Sequence, residues 1–136
     1  MKVFSKILCA LFLSISFVQA QEAIAPKSPE LSVRDYISLY SFVYKVDSQV
    51  MTDIIQCESN FMVTKQSDIL YNFSDPKRNI VYGERERSFG LVQIHLPDHP
   101  SVTHEEATDP QFAVRFLASN LAQGRGSMWS CYSMID

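Results

Sequence analysis

The first twenty residues decide how much chain is left to fold. Met1, Lys2 and Lys6 open it, Ile7 to Val18 carries no charge, and Val18-Gln19-Ala20 closes the segment just before Gln21. A basic start, a short apolar stretch and a small-residue end form the pattern of a secretory signal peptide. The apolar run falls short of the roughly 20 residues that a membrane-spanning helix needs. Residues 1–20 are therefore expected to be cleaved on export, leaving a chain in the periplasm or outside the cell with no stable membrane insertion. An uncleaved anchor and a buried helix remain as alternatives. A lipid on Cys9 is a weaker third, because Leu8 stands where a small residue is expected.

Cleavage of the segment leaves 116 of the 136 residues, enough for one compact domain and too few for two. Residues 21–27 read as a linker and 28–136 as the domain. Lys2 and Lys6 depart with the signal, so 12 basic residues become 10 against 15 acidic ones, a net charge of −5. Such a chain has no basic field for a phosphate backbone, which excludes nucleic acid as a partner and favours a neutral or zwitterionic ligand. Cys9 is lost as well, leaving Cys57 and Cys131. Two cysteines in an exported chain suggest one disulfide, while two free thiols would go with a retained N-terminus.

Along the domain the apolar period is mostly helical. Ser28-Pro29-Glu30 supplies a cap, a first-turn proline and an acid, so a helix is expected from there to about Lys45 with Leu31, Val33, Tyr36, Ile37, Tyr40, Val43 and Tyr44 as its stripe. Asp47 can cap a second helix, Ser48 to about Ser59, whose stripe is Val50, Met51, Ile54 and Ile55. From Ser67 to Arg87 the period disappears and β-formers mix with Asp75-Pro76 and Gly83, as in a loop or small hairpin. Ser88 to Ile94 reads as a short buried helix or extended piece stopped by Pro97 and Pro100. Thr103 to Glu106 forms a capping-box pattern, and Asp109-Pro110 starts a last helix with stripe Phe112, Ala113, Phe116, Leu117 and Leu121, stopped at Gly124. The fold class expected is mainly α, with a small β-hairpin or long loop in the middle.

Glu58 is the residue that this arrangement singles out. It follows Ile54 by four positions and Ile55 by three, which sets it at the edge of the buried face, close to the helix end. A carboxyl there can lose part of its water, and a desolvated carboxyl holds its proton to higher pH, as acid/base work near neutrality requires. Position alone favours the simpler role of a Glu capping or solvating a helix end, and only its context can overturn that.

Three segments in order then carry a resemblance. Residues 43–61, VYKVDSQVMTDIIQCESNF, look like the first catalytic segment of lytic transglycosylases, a helix after a Gly-Val-Asp-like turn that ends in Glu-Ser-x-Phe. Residues 88–94, SFGLVQI, are similar to the second motif, a Gly-Leu-Met-Gln-Ile-like run with a Ser two places before its Gly. Residues 108–121, TDPQFAVRFLASNL, resemble the third, where Asp-Pro starts a helix behind the site. The resemblance implies a lysozyme-like α-domain acting on peptidoglycan glycan strands. Glu58 would protonate the oxygen leaving from the β-1,4 bond between N-acetylmuramic acid and N-acetylglucosamine. It would then take the proton of the sugar's C6 hydroxyl, giving a 1,6-anhydro end.

The same resemblance makes Ser88 and Gln93 substrate contacts, against a helix cap for Ser88 and an ordinary buried hydrogen-bonding role for Gln93. Most glycosidases use two carboxylates; Asp68, Asp75, Glu84 and Glu86 could approach a cleft or form a solvated acidic loop. Tyr71, Phe73 and Tyr82 could stack on sugars or pack in the core. One departure stands out. The later Ala-Tyr-Asn-x-Gly-like motif of many lytic transglycosylases is replaced by Trp129-Ser130-Cys131-Tyr132. A Cys57–Cys131 bond would staple this tail beside Glu58, with Trp129 over the core and Tyr132 standing in for the absent Tyr. His95, His99 and His104 fall within ten residues, but Pro97 and Pro100 break any helical face, so no metal site and no cofactor are expected. The partner implied is the glycan strand, cut by a monomer in wall remodelling or for an envelope-spanning apparatus. A hydrolase of the same bond, and a glycan-binding subunit without turnover, are the competing readings.

Overall fold

The computed structural model describes residues 30–135, and the expected signal peptide, linker and Ser28 cap lie outside them. Four α-helices carry most of the order: α1 Val33–Tyr44, α2 Ser48–Ser59, α3 His104–Thr108 and α4 Pro110–Ala122. The chain is mainly helical, as the apolar periods predict. The first helix starts later than expected. Glu30 and Leu31 are not helical, and Ser32 is the cap, with Asp35 returning the hydrogen bond from three residues on. Asp35 Oδ2 accepts from the Ser32 N–H at 2.8 Å while the Ser32 hydroxyl accepts from the Asp35 N–H at 3.3 Å. This reciprocal pair satisfies two otherwise orphaned groups, which a Ser-Pro-Glu start does not.

The core lies where α1, α2 and α4 meet. Met51, Ile54 and Ile55 of α2 have no exposed surface, and they pack with Ile37 and Tyr40 of α1 and Ala113, Val114, Leu117 and Ala118 of α4. Gln111 of α4 donates to the Tyr40 hydroxyl at 3.0 Å, tying α4 to α1 at their polar edge. At the other end of the core sit Leu91, Val92 and Ile94, held by a two-stranded antiparallel pair, β1 Ser88–Phe89 with β2 Ile94–His95. Residues 88–94 are thus a strand, a turn and a second strand, the extended alternative of the sequence reading. Gly90 makes this turn possible in two ways. It has φ +79°, and a Cβ there would lie 1.8 Å from the Ala107 carbonyl oxygen of α3.

The middle segment is a hairpin arm. Gln66 bridges Phe89, Leu70 bridges Arg85 and Asp75 bridges Ile80, all antiparallel and all in one register. Backbone hydrogen bonds from Ser67 to Ser88, Tyr71 to Glu84 and Glu86 to Ile69 follow the same register. The arm therefore runs out from β1 as a second ladder and closes at a 3₁₀ turn, Pro76–Arg78, capped by Asp75. After α4 the chain passes through two short 3₁₀ turns, Gly126–Met128 and Ser130–Met134, and returns to α2.

Candidate active site

Glu58 stands on the last turn of α2, and the way that turn ends exposes it. Asn60 and Phe61 both adopt left-handed backbone, with φ 52° and 62°, so the helix stops abruptly two residues after the acid. A left-handed Phe is unusual and is held by packing, since Phe61 lies against the core with the Arg34 guanidinium 5.5 Å from its ring centre. Glu58 itself is half-buried. Its Oε1 accepts from the Cys131 N–H at 3.3 Å and lies 3.5 Å from the Ser130 hydroxyl, both long contacts. Burial raises the Glu58 carboxyl above its ordinary range. The Cys131 N–H, the Ser130 hydroxyl and the Lys65 charge pull the other way without cancelling it, and Glu86 adds a small further push upward.

The hairpin arm forms the facing wall. Its register sets Ser67 across from Ser88 and Ile69 across from Glu86, and a pleated strand sends alternate side chains to one side. These four residues line a cleft of about 510 Å³ together with Glu58. The Glu86 carboxylate accepts from the buried Ser67 hydroxyl at 2.7 Å. Ser88 is 5% exposed, and its hydroxyl forms no hydrogen bond among the described residues, leaving it available to a ligand.

Gln93 forms the floor in the left-handed conformation, φ 48°. Its amide nitrogen donates to the carbonyls of Gly90 at 2.9 Å and Lys65 at 3.2 Å, which leaves its oxygen as the group free to accept from a ligand. Met128, Trp129 and Ser130 close the cleft on the Glu58 side. Trp129 serves two surfaces at once: it is 5% exposed, and its Nε1–H donates to the Val92 carbonyl at 2.7 Å.

The cleft continues along the arm into a groove of about 380 Å³ lined by Tyr71 and Phe73, with Glu86, His95 and Asp98 shared between the two. A hydrogen-bonded relay holds this wall in place. Asp98 accepts at 2.7 Å from His95 Nδ1, which leaves Nε2 to accept the Tyr71 hydroxyl at 2.9 Å. Asp98 also accepts from Arg78 at 2.6 Å, and Arg78 pairs with Asp75 at 2.8 Å at the tip of the arm. The His95 hydrogen bond, followed by the Arg78 one, holds the Asp98 carboxyl below its ordinary range against the effect of burial.

The residues expected from the sequence divide accordingly. Glu58, Ser88 and Gln93 share one cleft, and Cys57 is bonded to Cys131 across 74 residues. Tyr132 does not line that cleft. It is 42% exposed, and its ring lies over Gly126, where a Cβ would come within 2.5 Å of it. The staple carries Ser130 and Trp129 to the acid instead, because the 3₁₀ turn after Trp129 sends the next side chains to other faces.

Of the four loop acids, Glu86 and Asp68 reach the cleft, Asp68 paired with Arg85. Asp75 caps the arm tip, and Glu84 is not part of the lining. Tyr71 is buried against His95, Phe73 lies in the side groove, and Tyr82 is 71% exposed. His95 joins the relay, while His99 and His104 meet Phe116 and Phe89 edge-on. Among the described residues no group of three or more His, Cys, Asp or Glu is placed to hold a metal ion, and no helix is long and apolar enough to cross a membrane.

No known protein family, curated protein or solved structure matches this chain.

Proposed function

We propose that this chain is a lysozyme-like lytic transglycosylase that cuts peptidoglycan glycan strands between N-acetylmuramic acid and N-acetylglucosamine, exported to the wall and acting as a monomer without a cofactor. The observation that carries the proposal is Glu58, a half-buried carboxyl held above its ordinary range by burial and open to a cleft of about 510 Å³. A carboxyl in that state is protonated at higher pH than a solvated one and can give its proton to a bridging oxygen. As the anomeric C–O bond breaks, the C6 hydroxyl of the same sugar bonds to the anomeric carbon and its proton returns to Glu58. Between the two transfers Glu58 is charged, and the Cys131 N–H and Ser130 hydroxyl contacts stabilise it then. The free oxygen of Gln93 and the unengaged hydroxyl of Ser88 supply an acceptor and a donor for sugar hydroxyl and acetamido groups.

Digestion of purified sacculi, followed by mass spectrometry of the released sugars, tests the proposal. The expected products carry 1,6-anhydro ends, and Glu58→Gln should slow release by roughly 10²- to 10⁴-fold, the usual worth of a general acid. A Gln variant that digests as fast as the parent overturns the assignment. Hydrolysis of the same bond is the second reading, favoured by the carboxylate of Glu86 on the facing wall.

A further inference from the structure

We infer that Glu86 is a second catalytic carboxylate, the base that directs water to the anomeric carbon, so that this cleft hydrolyses glycan strands as well as forming anhydro ends. The inference rests on the glycan-cleaving reading of Glu58.

Three observations lead to it. First, the register of the arm aims Glu86 at the cleft beside Ser88 and opposite the wall that bears Glu58. Second, Glu86 is oriented yet unneutralised. Ser67, itself fixed by accepting the Ile69 N–H at 3.2 Å, donates to one Glu86 oxygen at 2.7 Å, and Glu86 forms no ion pair among the described residues. The other cleft carboxylates are spent: Asp68 on Arg85, and Asp98 on His95 and Arg78. Third, Glu86 and Glu58 reach the same cleft of about 510 Å³ from different segments, and no hydrogen bond joins the two carboxyls among the described residues. Two carboxyls on one cleft, one serving as acid and the other as base to a water, are the pair that glycosidases activating water directly use.

The step balances with water as the only co-reactant. The water oxygen bonds to the anomeric carbon as that carbon's bond to the bridging oxygen breaks. The bridging oxygen takes the Glu58 proton, one water proton passes to Glu86, and exchange with solvent resets both carboxyls. Water and the C6 hydroxyl then compete for the same carbon, and Glu86 sets the outcome.

The test compares the parent with Glu86→Gln and Glu58→Gln on the same sacculi, counting reducing and anhydro ends, which differ in mass by one water. The parent should yield both. Glu86→Gln should lose reducing ends by about tenfold or more while anhydro ends persist, because it removes a base and leaves the acid. Glu58→Gln should lose both.

A parent that yields anhydro ends alone overturns the role of Glu86 and leaves that of Glu58 standing. An unchanged ratio in Glu86→Gln, or an equal fall of both products, also overturns it, since a merely structural Glu86 would not move the ratio. A parent that cleaves nothing removes both. Should Glu86→Gln lose its near-ultraviolet dichroism, Ser67→Ala decides the matter. It keeps the carboxylate but frees it, and must lower the reducing fraction for the inference to stand.

Discussion

A general acid has to be deprived of water and still be reachable by its substrate, and Glu58 meets both conditions by standing one residue short of a helix end. Its partners are long and few, at 3.3 and 3.5 Å, so burial outweighs them and the carboxyl keeps its proton above the ordinary 4.5. Two consequences follow in opposite assays. Cleavage should fall as pH rises through the raised value, giving an alkaline limb that Glu58→Gln abolishes. In folding, a carboxyl raised in the native state contributes stability below its ordinary value and loses it as pH climbs through the native one. The Gln variant should therefore gain on the parent in urea melts as pH rises from the ordinary carboxylate range through the raised native value, since it no longer carries a buried charge. A parent that gained on the variant over that range would show that hydrogen bonds, not burial, dominate at this carboxyl.

Glu58 was legible because its distance from Ile54 and Ile55 is local information. Its neighbours were not. Ser130, Lys65 and Glu86 reach the site through a tail, a loop and a strand register, none of which the spacing of one segment encodes. Tyr132 was misplaced for the same reason, because the bond at Cys131 fixes where the tail crosses but not which side chain turns inward.

At the scale of elements, the helices were readable and the arm was not. Asp47, Thr103 and Asp109 cap the helices that their patterns indicate, and the stripes of α2 and α4 are the buried faces. The start of α1 went astray because two capping patterns lie four residues apart and the one able to close a reciprocal hydrogen-bond pair prevails. The arm lacks the strict alternation of a half-buried strand. Ile69, Leu70, Val81 and Tyr82 are all exposed, so its pairing is carried by backbone hydrogen bonds and by the relay at its base and tip.

Asp98 is the hub of that relay, and Asp98→Asn should release both His95 and Arg78. Exposed ion pairs are worth about 0–1 kcal/mol each, so overall stability should change by only about 1 kcal/mol. The local effect should be larger: faster amide hydrogen exchange from Tyr71 to Tyr82, and weaker cleavage as the wall bearing Glu86 loosens. Acid should mimic the substitution. Asp98 and Asp75 are held below their ordinary range, so what they contribute is present above it and lost as pH falls through their native values. Exchange in the arm that matches the parent's would mean that the backbone ladder alone holds this wall.

For the whole molecule, the decisive link is the one between the tail and α2. The mainly helical class was legible from the apolar periods, and the cysteine pair was legible as a bond. That this bond assembles the site was not, because it depends on the course of residues 123–131 in three dimensions. The bridge closes a loop of 74 residues, which chain entropy values at about 4 kcal/mol. A domain of this size is stable by only about 5–15 kcal/mol in total. Cys131→Ser should therefore lower the melting temperature by on the order of 10 °C or more under oxidising conditions.

The bridge also holds together two groups that the proposed cleavage uses, since the residue bonded to Cys57 is the one whose N–H meets Glu58. Cleavage by Cys131→Ser should thus fall even well below its melting temperature, when the fold is intact but the tail is no longer pinned. Cys57→Ser should do the same, and the double variant should be no worse than either single one, because both lesions remove one bond. Additive losses in the double variant would mean that the two cysteines act separately, and full activity in the cold would reduce the bridge to a stabilising staple.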